Sequence, residues 1–216
     1  MEIKNVLVSE AYTNCYLVKN EENDEGFIID PGGSALKISR CVEQMGMTPK
    51  AILLTHGHFD HIGGVNDIVS NTECKAKVAI GMDDIPMLTD SVKNLAYPFS
   101  MITLKPINFD ISLSDNDKIK LGESEITVIS TPGHSKGSVC FLCDDCLFTG
   151  DTLFARSAGR TDFPGGSYTQ LMKSFAKLAE LDRDYKVYPG HERATTLNRE
   201  KESNYYFIGA DYDSIY

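Results

Sequence analysis

No stretch of this 216-residue sequence approaches the roughly 18 uninterrupted apolar residues that span a bilayer, so no membrane partner is expected. Its start, Met1 to Glu10, has no apolar run behind a basic patch, and no export signal is expected there. Basic residues are the scarcer charge: 21 Lys and Arg stand against 31 Asp and Glu, a net −10. A chain that neutralises phosphates for a living is usually basic, so no nucleic-acid partner is expected either. Low-complexity runs and repeats are missing. With 42% hydrophobic and 24% charged residues, the composition excludes a disordered chain, a collagen-like chain and a coiled coil. Cysteines number six, at positions 15, 41, 74, 140, 143 and 146. The chain is long for a disulfide-stapled domain and three of the six lie far apart, so they read as reduced thiols of a cytoplasmic protein. The length is about 1.4 times a typical domain, which predicts one domain over residues 1–216 with a sizeable core.

The pattern along the chain is mixed. Strands are predicted at Ile3 to Val8, Thr13 to Lys19, Gly26 to Ile29, Ala51 to Leu54, Lys77 to Ile80, Lys118 to Leu121, Glu125 to Ile129, Ser138 to Cys143, Cys146 to Thr149 and Tyr185 to Tyr188. Helices are predicted from a cap at Ser34 to about Met45, over Gly64 to Val69, Asp83 to Lys93, Ser167 to Leu181 and Thr195 to Asn204. Residues 95–116 lack a period and read as a long loop, a feature often tied to function. Adjacent strand pairs together with intervening helices indicate mixed sheets covered by helices, an α/β (mixed α+β) class, and not a purely parallel doubly wound sheet.

Histidine decides the chemistry. There are five, and three fall in Thr55-His-Gly-His-Phe-Asp-His61. The others are His134 in Pro132-Gly-His-Ser135 and His191 in Pro189-Gly-His-Glu192. None is left over, and each cluster follows an apolar strand-like run beside a glycine. Imidazole binds zinc and iron, and carboxylate completes or bridges such sites. A strand end is a rigid mount, and glycine lets the backbone turn sharply beside it. Asp60 adds a further ligand-type side chain, and Asp151, at the end of another strand, is a carboxylate that needs a partner if buried.

These residues are the motifs of the metallo-β-lactamase superfamily, which the sequence resembles from Asp30-Pro-Gly-Gly33 to about Phe207. Within it the chain is most similar to the hydroxyacylglutathione hydrolase (glyoxalase II) group. The carriers are Gly133-His-Ser-Lys-Gly-Ser138, Phe148-Thr-Gly-Asp-Thr-Leu-Phe154 and Tyr188-Pro-Gly-His-Glu-Arg-Ala-Thr-Thr196. The resemblance implies a four-layer αββα sandwich with the site at one edge of the two sheets. It implies a single-domain binuclear metallohydrolase that cleaves a small, acylglutathione-like (thio)ester with a metal-bridging hydroxide. One metal would take His56, His58 and His134, the other Asp60, His61 and His191, with Asp151 bridging; Asp60 and Asp151 would be the catalytic carboxylates. The cofactors implied are two divalent transition-metal ions, zinc first, with iron or manganese as alternatives. Asp30 is read either as a residue that orients the histidine loop or as a plain strand-ending turn. The same resemblance offers a rival, a mononuclear-iron persulfide dioxygenase holding iron through His56, His134 and Asp151. Full glyoxalase II enzymes hold glutathione with a C-terminal helical region, and no counterpart of it is expected in these 216 residues. The segment Gly159-Arg-Thr-Asp-Phe163 is common to short glyoxalase II-like proteins and persulfide dioxygenases. Arg160 is read either as a grip on a substrate carboxylate or as a partner of Asp162 that holds the loop.

Three other signals are set aside. Gly133-His-Ser-Lys-Gly137 matches a serine-hydrolase elbow, with Ser135, Asp151 and His191 in a plausible order, but a strand and not a helix follows the serine. Cys140, Cys143 and Cys146 have metal-like spacing, but Asp144-Asp145 reads as a hairpin turn that splays the thiols. Tyr205, Tyr206, Tyr212 and Tyr216 read as packing or an oligomer contact.

Overall fold

The computed structural model describes the chain except residues 10, 72–75, 101–102, 122–123 and 211–216. Cys74, Tyr212 and Tyr216 therefore lie outside the described residues. In chain order the strands of the first half are β1 (Glu2–Val8), β2 (Thr13–Lys19), β3 (Glu25–Ile29), β4 (Thr48–Leu54), β5 (Lys77–Gly81) and β6 (Ile111–Leu113). Between them lie helices α1 (Ala35–Gln44), α2 (Phe59–Ile62), α3 (Val65–Asn71) and α4 (Ala96–Phe99). They form one sheet in the order β1-β2-β3-β4-β5-β6, antiparallel from β1 to β3 and parallel from β3 to β6.

The second half contributes β7 (Lys118–Leu121), β8 (Ser124–Ser130), β9 (Val139–Cys143), β10 (Cys146–Gly150), the ribbon β11 (Leu153–Phe154) and β12 (Ser157–Ala158), β13 (Lys186–Pro189) and β14 (Thr195–Thr196). Helices α5 (Tyr168–Ala179), α6 (Leu197–Ser203) and α7 (Tyr205–Ala210) complete it. The second sheet runs β14-β13-β10-β9-β8-β7.

Strand alternation builds three apolar layers. On β3 and β4, Phe27, Ile29, Ala51 and Leu53 point between the sheets, where Val128, Phe141 and Phe148 of the second sheet meet them. Ile28, Ile52 and Leu54 point the other way, onto Ile38 and Val42 of α1 and Val65 and Ile68 of α3. Cys140 and Leu147 face outward from the second sheet onto Leu171, Phe175 and Leu178 of α5, with Leu197 and Phe207. Helix, sheet, sheet, helix is the four-layer αββα order expected. The same alternation separates the cysteine triplet: Cys143 and Cys146 are cross-strand neighbours facing the inter-sheet core, and Cys140 faces the helices. All five described cysteines are free.

Four local expectations fail, three of them for identifiable reasons. Residues 83–93 are not an α-helix: a 3-10 turn spans Met82–Leu88, and Asp90 then accepts hydrogen bonds from the backbone of Val92 and Lys93. Such local side-chain bonds compete with helix propagation. Ser34 begins α1 with φ of 52° and no side-chain cap; its carbonyl instead accepts from Lys37 and Ile38. Thr195 and Thr196 pair with β13 before α6 starts, and the Thr196 hydroxyl then caps Arg199. The presumed loop 95–116 contains α4 and the edge strand β6. No helix among the described residues is long and apolar enough to cross a membrane.

Candidate metal centre

Strand ends deliver the site. β4 runs into the Thr55–His58 turn, α2 follows with Asp60 and His61, the β8–β9 connection carries His134, Asp151 follows the end of β10, and β13 ends before His191. All seven side chains converge at one edge of the two sheets. His56, His58, Asp60, His61 and His134 are buried, Asp151 is nearly so, and His191 is partly buried.

Two triads emerge. His56, His58 and His134 form one set of donor atoms within 4.8 Å of each other, and Asp60, His61 and His191 form another. In the second, Asp60 Oδ2 lies 3.5 Å from His61 Nε2 and 3.3 Å from His191 Nε2, and the two imidazole nitrogens are 3.4 Å apart. Three donors held 2.0–2.1 Å from a tetrahedral cation are about 3.3–3.4 Å from one another, so this triangle has the size of one coordination face. In the first, His58 Nδ1 and His134 Nε2 face each other at 2.9 Å. Lone pairs that close need a proton or a cation between them. Asp151 lies between the triads: Oδ1 is 3.3 Å from His61 Nε2, and Oδ2 is 3.5 Å from both His134 Nε2 and His191 Nε2. His56 Nε2, His58 Nε2 and Asp151 Oδ1 are buried with no hydrogen-bond partner. Orphaned buried polar atoms are costly in a protein interior; a cation would satisfy the lone pairs of His56 Nε2 and Asp151 Oδ1, whereas His58 offers its Nδ1 and is left with Nε2 as its N–H side. Gly190 is part of the cradle, since a Cβ there would lie 2.3 Å from Asp151 Oδ1 and 2.7 Å from His61 Cε1.

The surrounding shell fixes ring orientation. His134 Nδ1 donates to the Arg160 carbonyl at 2.7 Å, which turns Nε2 toward the site. His61 Nδ1 donates to Asp30 Oδ2 at 2.9 Å, which does the same for its Nε2. Asp30 also accepts from the Thr55 amide at 2.8 Å and the Thr55 hydroxyl at 2.6 Å. Of the two readings of Asp30, the geometry matches orientation of the histidine loop. Arg160 has its guanidinium in a bidentate pair with Asp162, at 2.9 and 2.7 Å, and lies 4.3 Å over the Phe163 ring.

Several contributors escaped the sequence reading. Thr13 on β2 donates to Asp60 Oδ2 at 3.0 Å. Asn14 donates to the carbonyls of Pro189 and Glu192, and Tyr16 donates to Pro189, so β2 clamps the His191 loop. Phe163 stands edge-on to His58 and His134, and Phe154 to His191. Only the proximity of Thr13-Asn14 to a strand start hinted at a polar task, and nothing local named their partners. Ser135 has its hydroxyl committed to Asp84 Oδ2 and Ser138 Oγ, both at 2.6 Å. Ser135→Ala is accordingly expected to lower stability by about 1–3 kcal/mol while leaving most turnover at saturating metal, as steady-state kinetics and urea melts would show.

The electrostatics are split. Burial, reinforced by neighbouring imidazoles, holds His56 and His58 well below the ordinary histidine range, His58 at about 3. Burial also opposes charge on His61, but Asp60, Asp151 and Asp30 together outweigh it and hold its pKa well above the ordinary value. Burial pushes Asp60 up, yet His61 and His191 bring it to about 2, and Asp151 is lowered by the same imidazoles against its burial. In protein stripped of metal, the unfolded chain therefore binds more protons than the native one at His56 and His58 below pH 6.5. The raised His61 and His191 oppose that slope just below pH 6.5, where the unfolded histidines are still partly deprotonated, and drop out about a unit lower, where both states are protonated. Stability is expected to fall from pH 6.5 toward pH 3, with Asp60 adding to the loss below about pH 3.8. Thermal melts in chelator across that range check it; a flat profile contradicts it.

The metallo-β-lactamase superfamily model matches residues 8–191, a span that contains every one of these side chains. The chain belongs to the metallo-β-lactamase superfamily. It is 32% identical over 208 residues to the hydroxyacylglutathione hydrolase GloC of Haemophilus influenzae, covering 94% of this chain and 97% of that one. Among solved structures, the B3 metallo-β-lactamase BLEG-1 is similar with a TM-score of 0.89 at 32% identity, covering 96% of this chain and all of that one. TTHA1623, solved in a di-iron-bound form, gives a TM-score of 0.82 at 32% identity, covering 94% and 99%. The superfamily binds divalent metals in a fold used mostly by hydrolases, and the His/Asp groups at this edge are the candidate site for them; TTHA1623 is a di-iron form, while the Bacillus subtilis relative PksB, 28% identical over 184 residues (84% of this chain, 74% of that one), is named a probable zinc-dependent hydrolase.

Proposed function

We propose that this protein is a binuclear metal-dependent hydrolase of a small thioester, with an acylglutathione-like substrate. His56, His58 and His134 would hold one ion, Asp60, His61 and His191 the other, and Asp151 both. Zinc is the first choice, with iron or manganese as alternatives. The observation that carries the reading is the paired triad with Asp151 between them, in an edge where three buried polar atoms find no other partner. Two such cations, when bound, lower the pKa of water and polarise a carbonyl oxygen. The chain's own part is to fix the donors. Asp30 and the Arg160 carbonyl set the His61 and His134 rings, Thr13 holds Asp60, and Phe163 and Phe154 pack edge-on against the imidazoles. Similarity to a named hydroxyacylglutathione hydrolase supports the thioester class. Arg160 is paired with Asp162 at the surface, which supports its reading as a brace of the loop.

The test is turnover of lactoylglutathione by metal-loaded protein, run beside oxygen uptake with glutathione persulfide. Thioester cleavage without oxygen consumption is the expected result. Oxygen consumption with one iron per chain and no thioester cleavage would replace the hydrolase with a persulfide dioxygenase.

A further inference from the structure

One buried carboxylate near the centre takes no part in the chemistry proposed above. Asp84, on the 3-10 turn after β5, is 1% exposed. Its Oδ2 accepts from the Gly57 amide at 3.0 Å and from the Ser135 hydroxyl at 2.6 Å, and its Oδ1 accepts from the Gly137 amide at 2.8 Å. Gly57 lies between His56 and His58. Ser135 follows His134. A single side chain hung from the first sheet thus joins the turn after β4 to the β8–β9 loop of the second sheet. No lysine, arginine or histidine side chain among the described residues is within ion-pair distance of it; all three donors are neutral.

The backbone around this carboxylate is packed to contact. A Cβ at Gly137 would lie 2.4 Å from the Asp84 amide nitrogen, one at Gly57 2.6 Å from Met87 Cβ, and one at Gly81 2.0 Å from the Gly137 carbonyl oxygen. The two histidine loops therefore meet across a seam with no slack, and besides the direct His58–His134 contact it is Asp84 whose side chain bonds both loops. The other triad is held by different groups: Asp30 on His61, Thr13 on Asp60 and Asn14 on the His191 loop.

We propose that Asp84 is a positioning residue for one metal position only, setting the spacing of His58 and His134 through the Gly57 amide and the Ser135–Gly137 segment. The proposal rests on the metal-site reading above. Groups that orient ligands commonly govern metal affinity about 10–100-fold, so the effect should be of that size and confined to one triad. Asp84→Asn is close in size, but its amide NH₂ must face one of three donors.

The experiment is zinc titration of the full chain against a chromophoric chelator, in two backgrounds. His191→Ala leaves the His56/His58/His134 position intact, and His134→Ala leaves the other. Adding Asp84→Asn should weaken zinc about 10–100-fold in the first background and by less than about threefold in the second. Cobalt loaded in the first background should also change its visible absorption spectrum, which a simple loss of stability would not cause. Equal weakening in both backgrounds, or none in either, overturns the proposal. If Asp84→Asn does not fold by circular dichroism, Ser135→Ala takes its place, with a smaller loss expected in the first background alone and the same overturning outcomes. A parent chain that binds at most one zinc would instead sink the binuclear reading; a two-zinc parent with no asymmetry sinks only the role of Asp84.

Discussion

Asp60→Ala and His191→Ala are expected to remove thioester hydrolysis nearly as completely as His56→Ala. Asp60→Ala and His191→Ala each take a donor from one triad and His56→Ala takes one from the other, and the proposed chemistry needs both. Polarisation of a carbonyl by a bound cation contributes several kcal/mol to the transition state, and each ~1.4 kcal/mol is tenfold in rate. Losses in kcat/KM of about 10³-fold or more follow for all three variants. The persulfide dioxygenase reading gives a different pattern: one iron on His56, His134 and Asp151 would survive both Asp60→Ala and His191→Ala. Measuring hydrolysis, oxygen uptake and bound metal together, with circular dichroism as the check on folding, distinguishes the two. Variants at Asp60 and His191 that keep one iron and consume oxygen with persulfide would defeat the hydrolase.

Asp30→Ala is expected to be the most destabilising single change in the site. The carboxylate is 1% exposed and accepts from the Thr55 amide, the Thr55 hydroxyl and His61 Nδ1. Removing it strands three buried donors, one on an imidazole whose pKa its neighbouring carboxylates hold high. Breaking a buried charged pair by deleting one member costs about 3–5 kcal/mol. Urea unfolding of metal-free parent and variant gives that difference directly from the shift in midpoint at constant slope. A shift worth under about 1 kcal/mol would return Asp30 to a plain strand-ending turn.

The legible part of this site was the part written in short windows. Five histidines in three clusters, each after an apolar run, announce strand-end ligands without any knowledge of topology, and the structure brings all five to one edge with Asp60 and Asp151. The αββα layering was legible from the resemblance and agrees with strand alternation, as Ile28 and Phe27 pointing to different layers illustrates. What was not legible is what acts at long range. Asp84 meets Gly57 across 27 positions and Ser135 across 51, and Asn14 meets Pro189 across 175. No local pattern marks such partners. Residues 83–93 look helical by composition, yet the tertiary hydrogen bonds of Asp84 and the turn at Asp90 override that preference. Arg160 illustrates a third limit: a guanidinium two residues from an aspartate reads equally well as a substrate grip and as a loop brace until the bidentate pair is seen.

The central claim is that two cations occupy paired triads sharing Asp151, and native mass spectrometry of the full chain after reconstitution with excess zinc, iron or manganese tests it most directly. The account predicts two metal ions per chain with at least one of these metals, falling to one in His191→Ala and in His134→Ala. A parent chain that never holds more than one ion with any of the three would contradict it.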